Sequence, residues 1–385
     1  MTKTNNEKKY LHVFMPNSVS TEDDERYYIA RPFFFNELQK HFNIKLYCKI
    51  DNKTCIDSIK QQPIDANIEI IDFFDETSFI HLLKQYQKYK KEIKKLPKND
   101  FYFSFYPLKR SGVILAYLLH KYQLTIWVKS LSGLAFIPSE SKVVNFFKRL
   151  TLPIKRLLYK ALSNYIFTDN LIFYTSDIVF DKQNHLHQHE IISCSDFNRD
   201  KSLIRYDFSN EICFVGGEQP QKGLIYVLQA LHLIPERKRP KLNIIGIEKI
   251  KRKKHQKLAK DLDIKIHGKV YERDAFYKKL AENDFLIMPS IAEKQGKVQL
   301  EAMSAGVVPV CADSGGTHQT MDNFYNGLLF KERDISELAS QIQLLYKNPS
   351  LHKNMQSNGL KTIQNLSLER QCYKMASIIT NRYLK

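Results

Sequence analysis

Between residues 211 and 312 the chain repeats one pattern: a short apolar run, often closed by glycine, followed by a segment of helical length. The runs EICFVG at 211–216, KLNIIG at 241–246 and IKIHG at 264–268 each end at glycine, and DFLIMPS at 284–290 and GVVPVCA at 306–312 continue the series. Helical spacing occupies 222–234, 273–283 and 298–305, with a basic helix candidate between 246 and 264. Apolar runs of strand length alternating with helices indicate βαβ units around a parallel sheet. Ligands bind such sheets in the loops at the carboxyl ends of the strands, where several of these glycines stand.

Residues 1–200 alternate in the same way, less cleanly. Residues 10–15 (YLHVFM) read as a first strand and 31–41 as a first helix, with further strands over 45–49, 68–71, 101–105 and 124–128. Helices are expected over 82–96, which is basic, and 111–122, which is apolar. The expectation is two α/β layers joined near residues 200–210, with no internal repeat.

Composition narrows the class of function. Among 385 residues, 59 Lys and Arg against 41 Asp and Glu leave a net charge of +18, which favours an anionic partner such as nucleic acid, an anionic membrane or a phosphorylated substrate. With 43% hydrophobic and 26% charged residues, wholesale disorder is excluded. The longest apolar run, near 113–119, is far shorter than the roughly 18 residues of a membrane span. Residues 1–10 are polar and lack a signal core, so a cytoplasmic location is expected. Cysteines at 48, 55, 194, 213, 311 and 372 form no CxxC pair, as expected of reduced thiols rather than of a disulfide frame or zinc site.

The densest constellation of chemistry is PSIAEKQGKVQLEAMSAG at 289–306. If a helix begins near Lys297, Glu293 lies in the preceding loop and Glu301 on the second turn, so that both carboxylates could address one ligand across the helix N-terminus. Gly296 permits close approach, and the N–H groups at 296–298 offer an anion seat. Ionised carboxylates only accept hydrogen bonds, which suits vicinal hydroxyls. A phosphate carrying sugars on both sides fits this set; a solvated pair of acids beside an ordinary loop fits the pair alone. The second constellation is VGGEQPQKG at 215–223, where a turn at Gly216 and Gly217 and the cation of Lys222 suit a phosphate.

Together these segments resemble the large retaining nucleotide-sugar glycosyltransferase family 4. Glu293, Gly296 and Glu301 match its ExxxxxxxE signature; Glu301-Ala302-Met303, Gly306 and Pro309-Val310 match its "EAM…G…PV" run. Ser314-Gly315-Gly316 and Asn326-Gly327 match later loops, and Gly216, Lys222 and Gly223 match its "VGR…KG" segment. The resemblance covers about 211–385. It implies the α/β GT-B fold: two Rossmann-like α/β domains facing a central cleft. These are an acceptor-side domain over 1–205 and a nucleotide-sugar domain over 206–367, with a C-terminal helix over 368–385 crossing back to the first. It also implies roles. Glu301 serves the nucleotide ribose, Glu293 the donor sugar and Lys222 the leaving diphosphate, with Gly216, Gly217, Gly296, Lys297 and Val298 completing the donor site. No metal or cofactor is expected, the nucleotide-sugar being a co-substrate.

Two departures stand out. Gly217 occupies the position usually held by Arg, and Lys297 is placed to supply that charge. After the first expected strand, Pro16-Asn17-Ser18 replace a glycine-rich loop, and Lys129-Ser130 stand where many relatives carry a His; Arg110, Lys129 and Ser130 are the acceptor-side candidates. His185, His187 and His189 alternate but lack supporting ligands, so a surface loop is expected there rather than a metal site. Residues 141–168 contain Lys142, Lys148, Arg149, Lys155, Arg156 and Lys160 and no acid before Asp169, with Val143, Phe146, Phe147 and Leu150 at helical spacing. This is the pattern of a helix lying on an anionic membrane, and equally of a domain helix packed on a sheet. The expected activity is retaining, metal-independent transfer of a sugar from a nucleotide donor to a polysaccharide or lipid-linked acceptor, in surface polysaccharide biosynthesis, at the inner face of the membrane. A nucleotide-sugar epimerase of the same fold and a non-catalytic basic lipid- or nucleic-acid-binding protein are the alternatives.

Overall fold

The computed structural model describes residues 8–21, 27–29, 33–52, 62–73, 82–98, 100–104, 115, 117–119, 121–122, 153, 157, 172–174, 188–190, 197, 200–291, 293 and 296–383. Arg110, Lys129, Ser130, His185, His187, the expected strand at 124–128 and all of 141–165 except 153 and 157 lie outside the described residues. Pro153 and Leu157 are helical and exposed, Leu157 at 69%.

The N-terminal sheet is built on β1 (Tyr10–Thr21). Its other strands are β2 (Tyr27–Ile29), β3 (Asn43–Asn52), β4 (Gln62–Pro63), β5 (Glu69–Asp72) and β6 (Phe101–Ser104). β1 pairs in parallel with β3 and β6, and β3 with β5. Side chains alternate across a strand, and β1 uses both faces. Leu11, Val13 and Met15 join one apolar cluster with Phe35 and Leu38 of α1 (Phe33–Leu38). Cys372, Met375, Ala376 and Ile379 of the last helix, α9 (Leu368–Tyr383), belong to the same cluster. Phe14 turns to the other face, against Tyr47 and Phe73, and Phe73 stacks on Tyr89 of α2 (Leu82–Lys95).

One expectation fails here. Residues 16–18 do not leave the sheet as a loop. β1 continues through a register shift between Phe14 and Ser18 and stays paired with β3 as far as Thr21 and Asn52. Its end then pairs antiparallel with β2, which pairs with β4. Pro16 fixes φ near −65° and has no N–H, and without glycine at 16–18 the chain bulges and remains extended.

A two-stranded parallel sheet of β7 (Ile172–Tyr174) and β8 (Gln188–Glu190) precedes the C-terminal sheet and includes His189. The C-terminal sheet has the order β11-β10-β9-β12-β13-β14 and is parallel throughout. Its strands are β9 (Glu211–Val215), β10 (Lys241–Ile245), β11 (Ile264–Ile266), β12 (Phe285–Met288), β13 (Val308–Ala312) and β14 (Leu328–Phe330). β12 and β13 are buried at every position, which is why their sequences run apolar without alternation. Ile212, Phe214, Phe285, Ile287, Val308 and Val310 face α3 (Leu224–Leu233) within one cluster. Cys213, Ile245 and Leu286 face α5 (Arg273–Ala281) on the other side. The remaining helices are α4 (Lys253–Ala259), α6 (Lys297–Ser304), α7 (Ile335–Lys347) and α8 (Pro349–Asn365). The helix expected from residue 222 starts at Leu224, because Pro220–Lys222 wind as a separate turn closed by Gly223 at φ 75°.

Candidate active site

From β9 the chain moves through β10 to β11 on one side, then returns to place β12, β13 and β14 on the other. The gap between β9 and β12 is therefore a topological switch point, where crossover helices diverge and leave a crevice at the carboxyl ends of the strands. Three loops meet there.

The first follows β9. Gly216 has φ 150°, and its N–H donates to the Ile245 carbonyl (2.9 Å), so the chain turns at once from the sheet. Pro220–Lys222 wind into a turn, and Gly223 passes so close to the Pro289 backbone that a Cβ at 223 would overlap the Pro289 carbonyl oxygen. The second loop follows β12. It is tied to the first by the Ile291 N–H donating to the Gln221 carbonyl (2.9 Å), and it carries Glu293. The third follows β13, and there the Gly316 N–H donates to the Glu293 carbonyl (3.1 Å) while the Ser314 hydroxyl donates to the Ser290 carbonyl. The Glu293 backbone is thus held from the neighbouring loop.

These braces bring Lys222 and Glu293 together across 71 positions of sequence, with Nζ donating to Oε2 at 3.1 Å. The carboxylate is the more enclosed partner, its side chain 15% exposed against 38% for Lys222. Beneath it, Cys311 is buried, and burial, then the Glu293 charge, raises its thiol pKa well above the usual range. Cys311 is a core thiol with no nucleophilic character.

Gly296 opens α6 in the left-handed region (φ 68°) and, having no side chain, makes no cap bond of its own. Its first N–H groups, which have no intrahelical acceptor, are those an anion would meet. A Cβ at 296 would overlap the Gln299 side chain, which is itself fixed by donating to the Thr317 carbonyl (3.2 Å) and the Thr320 hydroxyl. Lys297 and Val298 form the first turn of α6, and Glu301 sits one turn on, partly buried. Gly216, Gly217, Lys222, Glu293 and Gly296 therefore lie on loops at the carboxyl edge of one sheet, with Lys297, Val298 and Glu301 on the helix that opens there.

A family model described as glycosyl transferases group 1 matches residues 196–362, a stretch that contains every one of these residues. Residues 196–362 form a glycosyl transferases group 1 domain. Two uncharacterized glycosyltransferases of Methanocaldococcus jannaschii are similar to it, at 28% identity over 41% of this chain and 27% over 42%. The chain spans less than half of either relative, 44% and 42% of their lengths. Among solved structures, a sucrose-phosphate synthase from Thermosynechococcus elongatus matches 98% of this chain and 100% of its own, with TM-score 0.66 and 14% identity. Anabaena HepE, solved in complex with UDP-glucose, matches 97% of this chain and 100% of its own (TM-score 0.64, 14% identity). The lipopolysaccharide outer core galactosyltransferase WaaB matches 97% and 99% (TM-score 0.67, 13% identity). At these identities the likeness shows the fold, which is GT-B across the chain.

The group 1 domain also holds a contact that sequence reasoning missed. Glu218, directly after Gly217, is bonded to the head of α4 around residues 251–255. The available signal was a lone acid directly after a glycine pair, with the cationic KRKK run at 251–254 after the next strand.

Proposed function

We propose that the protein is a glycosyltransferase that moves a sugar from a nucleotide-sugar donor to a saccharide or lipid-linked acceptor, with retention of configuration and without a metal. The observation that carries this is the Lys222–Glu293 pair, set between the Gly216–Gly217 turn and the glycine-led start of α6 at the sheet's switch point. In this reading the diphosphate lies over the turn and the helix start. Lys222 divides its charge between Glu293 and the leaving phosphate, while Lys297 and backbone N–H groups face the remaining oxygens. Preorganised donors aimed at developing negative charge are commonly the largest single catalytic contribution. Glu293, anchored through its backbone, accepts from donor-sugar hydroxyls, and Glu301 accepts from the ribose. The group 1 domain supports the transferase class, and the UDP-glucose complex of the structurally similar HepE supports a nucleotide-sugar donor. The chain is read as an acceptor-side unit over 1–205, a donor unit over 206–367 and a returning helix.

A surface-polysaccharide role follows the likeness to WaaB. The exposure of Leu157 favours a membrane-facing stripe over 141–165, and among the described residues no helix is long and apolar enough to cross a membrane. Sedimentation with anionic vesicles tests the stripe: Phe146→Ser with Phe147→Ser should release the protein without lowering its melting temperature.

The deciding experiment combines a melting-temperature screen of nucleoside diphosphates with a screen of sugar nucleotides for transfer, reading the product anomer by NMR. One nucleotide should stabilise the protein. Lys222→Ala should lower kcat by about 10²–10³, Glu293→Ala should impair transfer more than diphosphate binding, and Glu301→Ala should weaken binding itself. Near-wild-type kinetics in the first two reject the site. An inverted product anomer, or activity lost in EDTA and restored by manganese, rejects retention or metal independence respectively.

A further inference from the structure

The Gly216–Gly217 turn contains no cation of its own, and the residue that follows it is an acid. The Glu218 side chain is only 10% exposed. Its Oε2 accepts from the Lys251 N–H (2.7 Å), and its Oε1 accepts from the Arg252 N–H (3.2 Å) and from Nδ1 of His255 (2.8 Å). A carboxylate can only accept, so Nδ1 of His255, itself 8% exposed, carries the proton. Burial by itself would raise the Glu218 pKa, but the hydrogen bonds from Lys251, His255 and Arg252 outweigh it and hold the carboxyl below its ordinary value.

Beyond these bonds, the segment 249–260 carries Lys249, Lys251, Arg252, Lys253, Lys254, Lys257 and Lys260 and no acid. All but Arg252, which is half-buried, are exposed. The chain therefore spends a buried carboxylate, next to the residues proposed to face a diphosphate, on docking a cationic segment. By charge alone that carboxylate is unfavourable there. Its three bonds each fix the turn relative to α4.

Resting on the donor-site reading above, we propose that Glu218 is a positioning residue. It clamps the Gly216–Gly217 turn to the head of α4, so that the cations of 249–257 supply the positive field for the donor's diphosphate that the turn itself lacks. Exposed cations act through solvent within a Debye length of about 10 Å at 0.1 M salt, so this contribution is short-ranged and salt-dependent. It operates only while the turn and α4 are held together.

The sign of one measurement separates this role from simple electrostatics. Removing an anion beside a diphosphate should tighten binding; breaking the clamp should weaken it. UDP, GDP and ADP are titrated calorimetrically into the full chain, and the tightest binder is compared with its nucleoside in wild type, Glu218→Gln and Glu218→Ala. Glu218→Ala is expected to weaken the diphosphate by about tenfold, equivalent to about 1.4 kcal/mol, with Glu218→Gln intermediate. Nucleoside affinity should stay within about twofold, and the fall of affinity with salt should become shallower. In a second variant that leaves the clamp intact, Lys251→Ala with Lys254→Ala should weaken the diphosphate by roughly threefold at low salt and not at about 0.5 M. Unchanged or tighter diphosphate binding in Glu218→Ala overturns the inference, as does equal loss for nucleoside and diphosphate, which is the signature of a merely structural role. If Glu218→Ala does not fold, a double-lysine variant whose affinity is wild-type at all salt concentrations overturns it. A wild type that binds none of the three diphosphates overturns the donor reading, and this inference with it.

Discussion

Two strands organise the two large sheets, and they end in opposite ways. β9 stops after five residues because Gly216 turns the chain out of the ladder. β1 runs for twelve, past Pro16 and Asn17, and pairs with β3 to its last residue. Both belong to βαβ layers, yet only the first leaves a turn of backbone at the carboxyl edge where an anion could approach. The strand that continues uses its N–H and C=O groups on the ladder instead. On these two strands the exit from the ladder is decided locally: Gly216 follows β9 directly, and no glycine stands at 16–18 of β1.

The two regions differ inside as well. On the second face of the N-terminal sheet, the buried His12 bonds Tyr47 (Nδ1, 2.8 Å) and Asp100 (Nε2, 3.0 Å) and stacks on Tyr102. The C-terminal sheet instead concentrates its buried polar groups in Asn243, which donates to Glu211 and Asn283 and bonds His267.

The largest effect is expected at the glycine turn after β9. Gly223→Val puts a β-branched residue at φ 75° against the Pro289 carbonyl, and should cost on the order of 3 kcal/mol or more of stability. Nucleotide binding should be lost with it, whereas Pro16→Gly on β1 should leave nucleotide affinity unchanged; chemical denaturation and calorimetry read both. Of comparable or smaller size is Met375→Ala in α9, fully buried against β1, where large-to-small core changes cost about 2–5 kcal/mol. It should lower stability and leave the affinity for nucleoside diphosphate in the C-terminal half near wild type, and a matching loss of affinity would refute that separation.

The smallest effect concerns acid. Burial lowers the His12 pKa below 6.5 despite the opposing pull of Asp100. The unfolded chain therefore binds a proton first as pH falls. His12 contributes its full stability above about pH 6.5, and that contribution is lost as pH drops from there through its folded pKa. His267 and His352, also lowered by burial, act in the same direction in the C-terminal half. His12→Gln should flatten, not abolish, the decline of melting temperature between about pH 7 and 5. A decline as steep as wild type would show that His12 does not titrate with folding.

Much of the C-terminal sheet was legible because β12 and β13 are buried on both faces and read as continuous apolar runs, and because Gly216 and Gly246 close the runs of β9 and β10. Glu293, Gly296, Lys297 and Glu301 were legible through their spacing, since a loop of fixed length followed by a helix sets where each must stand. The course of residues 16–21 was not legible, because an extended ladder and a loop use the same polar residues when a neighbouring strand happens to be long enough to pair.

By itself the sequence determined the alternation of strand and helix, the glycines at which strands of the C-terminal layer stop, and the spacing of Glu293 and Glu301 about the start of a helix. Only the tertiary structure decided that β9 and β12 are neighbours, and hence that Lys222 meets Glu293. Strand order depends on which crossover buries most apolar surface, a property of the whole layer rather than of any segment. The Glu218 contact with α4 was settled at the same level: a buried acid takes whatever donors the fold brings to it, and here those were the backbone N–H groups of Lys251 and Arg252 and the ring of His255.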